Sequence, residues 1–104
     1  MNNLFKQLPD NLDNEIFEIL VQSEHVKVER IISKGHSSDE GYWYDQGQNE
    51  WVMILQGEAI LSFQSGNDIH LKVGDHLNIP AHQKHRVKWT LPDTETIWLA
   101  VHYS

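Results

Sequence analysis

The stretch GDHLNIPAHQKHRV (residues 74–87) sets a Gly-Asp turn, a short alternation, a proline and two histidines close together. Gly74-Asp75 and Ile79-Pro80 read as chain reversals: glycine supplies positive φ, and proline cannot continue a central strand. HLNIP between them reads as a short strand, and HRVKWT after them as a second. His82 and His85 stand at the junction, so the same stretch raises the question of whether they hold a ligand.

The pattern extends outward in both directions. Turn signals recur at Lys34-Gly35, Gln56-Gly57, Gly66-Asn67 and Pro92-Asp93. Between them lie VKVERIIS, GYWYDQ, EWVMILQG, EAILSFQ, DIHLKV and TIWLAVHY, all rich in β-branched and aromatic residues. Short strands at regular spacing predict an all-β sandwich or barrel of about eight to ten strands. SFQSGNDIHLKV predicts a hairpin with residues 65–68 as its loop. EIFEILV reads better as a strand than as a helix, since seven residues is short for a helix and its β-branched content is high. Residues 4–8 are expected to form a short turn of helix.

The 104 residues predict one domain, with no repeat or linker to divide it. No apolar run is long enough to span a bilayer, and MNNLFKQLPDN lacks the character of a signal peptide, so a cytoplasmic location is expected. There are no cysteines, which excludes disulfides, thiolate catalysis and cysteine-held metals. Any metal must have nitrogen and oxygen ligands. The net charge of −7 opposes a nucleic-acid partner, and the one basic run, at residues 84–88, is short and alternating. Seven histidines is the compositional oddity.

Two spacings carry a resemblance. Glu50 is followed by six residues and Gly57; Gly74 is followed by five residues and Pro80, with His85 five positions further on. These resemble the two motifs of the cupin superfamily, and WYDQ, IPAHQKHRVKW and WLAVHY are similar to small stand-alone bacterial cupins. The resemblance implies a jelly-roll barrel, the double-stranded β-helix, in one domain over residues 1–104. Its core would span about 28–104, with strands at about 15–33 at a homodimer interface. It also implies a divalent metal inside the barrel, held by two histidines and a glutamate of the first motif and a histidine of the second. Glu50 and His85 stand at their positions, whereas Tyr44 and Gln46 replace the two first-motif histidines, His82 replaces a glycine and Trp89 an asparagine.

Alternation puts Tyr44 and Gln46 on one face, and His85 and Trp89 on another inward row. The resemblance implies His85, Glu50 and Gln46 as ligands, with His82 in place of a lost imidazole if its loop turns it inward. Zinc, nickel, iron, manganese or copper would suit two imidazoles and two oxygens. Tyr44 and Glu50 are the candidate acid and base, and Trp89 and His102 the candidate pocket wall. A metal-dependent enzyme of dioxygenase or isomerase type acting on a small organic molecule is one expectation. A non-catalytic small-molecule or sugar-binding barrel without an essential metal is the other. His25, His36, His70 and His76 are expected as surface or strand residues, with His36 at a strand end and His70 on an outward face.

Overall fold

The structure is a computed structural model and describes residues 2–104. It contains eight strands: β1 Ile16–Gln22, β2 Val26–Ser33, β3 Asn49–Gln56, β4 Ala59–Phe63, β5 Asp68–Leu71, β6 His76–Ile79, β7 His85–Thr90 and β8 Thr96–Tyr103. They form a five-stranded sheet in the order β1-β2-β8-β3-β6 and a three-stranded sheet in the order β5-β4-β7. Every pairing is antiparallel. The two sheets face each other as a jelly roll. Among the described residues there is no helix, and so none long and apolar enough to cross a membrane.

Period-two alternation builds the core. Val52 and Ile54 on β3, Ala59 and Leu61 on β4, and Trp98 and Ala100 on β8 point inward and are almost completely buried. β2 is buried on both faces. Ile31 faces the core, whereas Arg30 faces outward beneath the N-terminal arm. The Arg30 guanidinium donates to the carbonyls of Leu4, Lys6 and Gln7 at 3.1, 2.8 and 3.4 Å, and its Nε donates to Glu18 at 2.7 Å. A buried cation with four acceptors thus pins the arm against the back of β1 and β2.

EIFEILV is a strand, as expected. Residues 4–7 form only a turn, closed by Lys6 N–H to Asn3 O at 3.1 Å. The β4–β5 loop runs over residues 64–67, one position earlier than read. GYWYDQ is not a strand. It belongs to an irregular strap, residues 34–48, that runs along β7, an edge of the small sheet. The strap satisfies that edge with single bonds: Ser38 N–H to Val87 O, Tyr44 N–H to His85 O and His85 N–H to Tyr44 O. A covered edge is protected from pairing with other chains.

Three β-bulges interrupt the alternation. The register shifts between Ile19 and Val21, between Ile54 and Gln56, and across β4–β7 between Ile60 and Leu61. The last passes from Leu61↔Val87 to Ile60↔Trp89, leaving Lys88 unpaired on β7. An extra residue reverses the facing of everything beyond it.

Gly57 turns β3 into β4 at φ +84, and a Cβ there would lie 2.3 Å from Thr96 Oγ1 and 2.8 Å from its Cα. Gly57→Ala is expected to cost about 3 kcal/mol, combining overpacking with left-handed strain. Gly74, at φ +88 with open space around it, should cost only about 1 kcal/mol as alanine. Urea denaturation of the two variants checks the difference.

Candidate functional site

The open end of the jelly roll holds a cavity of about 240 Å³. Its polar side is a row of inward residues near the strand ends. Glu50 on β3 is the register partner of His102 on β8, and His102 is the partner of Lys27 on β2. Directly paired residues share a face, so these side chains meet. Glu29 on β2, His85 at the start of β7, and Tyr44 and Gln46 from the strap complete the row. One step deeper along the same strands, Ile31, Val52, Val87 and Trp98 form an apolar floor with Leu61 and Ile79.

Glu29, Glu50, His85 and His102 are each more than nine-tenths buried. Burial without partners would be prohibitive for the carboxylates, and the row supplies partners. His102 Nε2 donates to Glu29 Oε1 at 2.8 Å and lies 3.9 Å from Glu50 Oε2. Lys27 Nζ lies 4.0 Å from Glu29 Oε2. His85 Nε2 lies 3.5 Å from Glu50 Oε1. Glu50 is therefore held between two imidazoles.

The tautomer of His85 follows from its other nitrogen. Nδ1 lies 2.9 Å from the Gln83 carbonyl, which can only accept, so Nδ1 carries the proton. In the neutral ring, the Nε2 lone pair then faces the Glu50 carboxylate. Two acceptors facing each other call for a proton or a cation between them. Burial depresses the His85 imidazole, but the Glu50 carboxylate and the Gln83 carbonyl outweigh it and hold the ring above its ordinary 6.5. Tyr44 stacks on the His85 ring at 5.6 Å, and Phe63 packs at 6.0 Å, which fixes the ring plane. Burial, then the anions Glu15 and Glu50 along with Tyr42, push the Tyr44 phenol up, so it stays a neutral donor. Gln46 Oε1 is buried and has no hydrogen-bond partner.

Sequence reading missed the three other charged members of the lining, Glu15, Lys27 and Glu29. Glu29 and Lys27 had a signal, since alternation on β2 puts them on one face with Ile31, but neither belongs to a motif. Glu15 had none. It precedes β1, and the fold brings it to the far end of the cavity beside Ser33 and Trp98. The Ser33 hydroxyl donates to Glu15 Oε2 and accepts the Trp98 indole N–H at 3.2 Å. Burial pushes the Glu15 carboxyl up from 4.5 against the opposing pull of Ser33 and His36.

Two expected members lie elsewhere. His82 has φ +64, at the position where the related motif carries glycine. That conformation turns its ring outward, where Nδ1 lies 2.8 Å from Asp45 Oδ1 in solvent. His82 does not line the cavity; its backbone N–H instead holds the strap through Gln46 O at 2.8 Å. Trp89 lies past the bulge at Lys88, so it faces outward and meets the surface His70 edge-on at 6.2 Å. His25, His70 and His76 are exposed, as expected, and His36 is partly covered.

A divalent cation can be tested against these atoms. Among the described residues, no three His, Asp or Glu side chains converge as a ready cage. The orphaned Gln46 Oε1, the His85 Nε2 lone pair and the Glu50 carboxylate are nevertheless acceptors lacking a donor. That donor set, one imidazole and two oxygens, fits a borderline cation.

Comparison with known proteins gives one family. The family model described as cupin domain matches residues 29–102. A protein from Ralstonia eutropha JMP134, provisionally named a mannose-6-phosphate isomerase, is 42% identical over 100% of this chain and 97% of its own, with a TM-score of 0.96. A cupin superfamily protein from Desulfitobacterium hafniense DCB-2 is 23% identical over 92% of this chain and 83% of its own, at a TM-score of 0.75. An RmlC-like cupin from Desulfovibrio desulfuricans is 17% identical over 98% of this chain and 94% of its own, at 0.77. The last two show the fold alone. No curated protein matches the chain.

The raised Glu15 carboxyl makes stability depend on pH. Its folded value lies above its unfolded one, so its contribution is full below the ordinary glutamate range and is lost as pH rises through the folded value. Glu15→Gln, which keeps an oxygen for Ser33, is expected to gain on the wild type as pH rises from 4 to 8. Urea midpoints measured across that range check it.

Proposed function

The chain belongs to the cupin family, and we propose that its cavity binds a divalent cation together with a small organic molecule. The observation that carries this reading is the set of facing acceptors: Glu50 Oε1, His85 Nε2 at 3.5 Å, and the unpartnered Gln46 Oε1. His85, Glu50 and Gln46 would hold the ion. His102, oriented by Glu29, would stand behind Glu50, as partner residues commonly do behind metal ligands. A bound divalent ion would supply Lewis acidity toward a substrate oxygen.

Whether the site turns a substrate over is a further step of the same reading. The name of the Ralstonia relative supports a hydroxylated small molecule and an isomerase-type proton transfer. His85 and Glu50 are the pair able to move a proton, and the Tyr44 phenol can donate to a substrate oxygen. Dioxygenase chemistry would use the same ligands with a redox-active ion. The second reading is a metal-free binding barrel, favoured by the absence of a ready three-ligand cage among the described residues. There, a proton on His85 satisfies Glu50 in place of the ion.

Metal analysis and titration of the untagged protein separate the two. The expected result is one zinc, nickel, manganese or iron ion per chain, with protons released on binding at neutral pH. His85→Ala should weaken affinity by about 100-fold or more, beyond the effect usual for partner residues. His82→Gly should leave affinity unchanged. Its stability should stay within about 1 kcal/mol of wild type, because relief of positive φ offsets the loss of an exposed pair. No binding of any of these ions leaves the metal-free barrel.

We further propose that a second copy of the chain covers β1. Phe17, Ile19, Leu20 and Val21 are all about half exposed on this edge strand. The one charge on β1, Glu18, is engaged by Arg30. An uncharged, apolar edge can pair antiparallel with its own copy about a two-fold axis. Sedimentation should give a dimer, and Ile19→Lys should give a monomer.

A further inference from the structure

One carboxylate of the cavity has no cation beside it. Glu15 is partly buried at the far end of the space, where the Ser33 hydroxyl donates to its Oε2. Among the described residues no hydrogen bond or ion pair reaches its Oε1. The basic groups that could balance it are engaged elsewhere. His36 is satisfied as a neutral ring: its Nδ1 accepts from the Lys34 N–H at 2.8 Å, and its Nε2 donates to the Asp13 carbonyl at 3.2 Å. Lys34 is exposed and does not line the cavity. Lys27 does, but it stands six residues from Ser33 on β2, about 20 Å along the strand, and its ammonium lies 4.0 Å from Glu29 Oε2. Arg30 is committed to Glu18 and the arm carbonyls on the outer face.

The walls around this carboxylate are aromatic. Phe17, two residues after Glu15, lines the same cavity and is half exposed. Trp98 reaches it from β8, with its indole N–H fixed on the Ser33 hydroxyl at 3.2 Å, and Tyr44 reaches it from the strap. Ring faces attract organic cations. Beyond them the floor of Val52, Leu61, Ile79 and Val87 offers only hydrocarbon. An anion entering here would meet Glu15, Glu29 and Glu50. A hydroxyl can donate to Glu15 but leaves its charge unbalanced in a low dielectric. An ammonium supplies both the donor and the charge. Burial without a cation is what holds the Glu15 carboxyl above its ordinary range, and an ammonium on Oε1 would return it to the charged form. At about 240 Å³ the space is below the range of drug-sized clefts, which starts at about 300 Å³, so the molecule it takes is small.

We propose that the cavity binds a small organic amine as its ammonium ion, with the nitrogen on Glu15 Oε1 among the rings of Phe17, Tyr44 and Trp98, and the carbon body on the apolar floor. This rests on the reading of the cavity as a ligand site, and it does not require the metal.

The test is calorimetric titration of the untagged full-length protein, as purified and with zinc added. The probes are benzylamine and isobutylamine, each beside its alcohol, benzyl alcohol and isobutanol. At least one amine should bind at least about tenfold more tightly than its alcohol. In Glu15→Gln that preference should disappear. In Phe17→Leu, which keeps an apolar side chain, the amine should lose about threefold and the alcohol nothing. Thermal midpoints check that both variants fold, and the comparison of amine with alcohol needs neither. Equal binding of an amine and its alcohol overturns the proposal. So does the failure of every amine to bind, or an amine preference that survives in folded Glu15→Gln. Zinc binding with no amine preference keeps the metal reading and removes this one. Amine binding by a protein that takes up no metal does the reverse.

Discussion

A single carboxylate, that of Glu50, governs the interior of this barrel. It is almost completely buried, so it must be balanced within the protein. Its two oxygens face two imidazoles from different sheets, His85 of the small sheet at 3.5 Å and His102 of the large one at 3.9 Å. Neither contact is a tight hydrogen bond. The balance is completed only through neighbours: Gln83 fixes the tautomer of His85, and Glu29 takes the proton of His102. Removing one partner from such a buried set leaves an unpaired charge, which commonly costs about 3–5 kcal/mol.

The rest of the structure can be understood as the scaffold that holds this balance. The apolar floor keeps bulk water from the lower ends of the strands, which strengthens every charge interaction above it. Tyr44 and Phe63 both pack against the His85 ring. The strap that carries Tyr44 and Gln46 is neither helix nor strand. It is held by backbone bonds to β7 and to His82, and so depends on a loop residue in the left-handed region. Such strain persists only where the surroundings enforce it, and it is found where a site must be positioned.

Irregularities, more than the regular strands, decide which side chains reach the cavity. The bulge at Lys88 turns Trp89 outward after His85 and Val87 have pointed in. The positive φ at His82 sends a second imidazole into solvent while its amide holds the strap. Arg30 draws the N-terminal arm over the back of β2, and residue 15 then lies beside Ser33 over the cavity's far end.

The amino-acid sequence alone determined the all-β architecture, the strand at EIFEILV, the turns at Gly57 and Gly74, and the inward placement of Glu50, His85 and His102. Each of these depends on local rules: two-residue alternation, the φ range of glycine and the motif spacing. Tertiary structure alone decided that Glu15 joins the site, that the β2 face bearing Lys27 and Glu29 lies beside Glu50 and His102, that His82 and Trp89 leave it, and that residues 41–46 form a strap in place of a strand. These outcomes depend on contacts between residues as far apart as Glu29 and His102, and on single-residue bulges that reverse strand facing. Alternation within one strand carries information about that strand's two faces. It carries none about which distant strand will be opposite, or where an extra residue will exchange inside for outside.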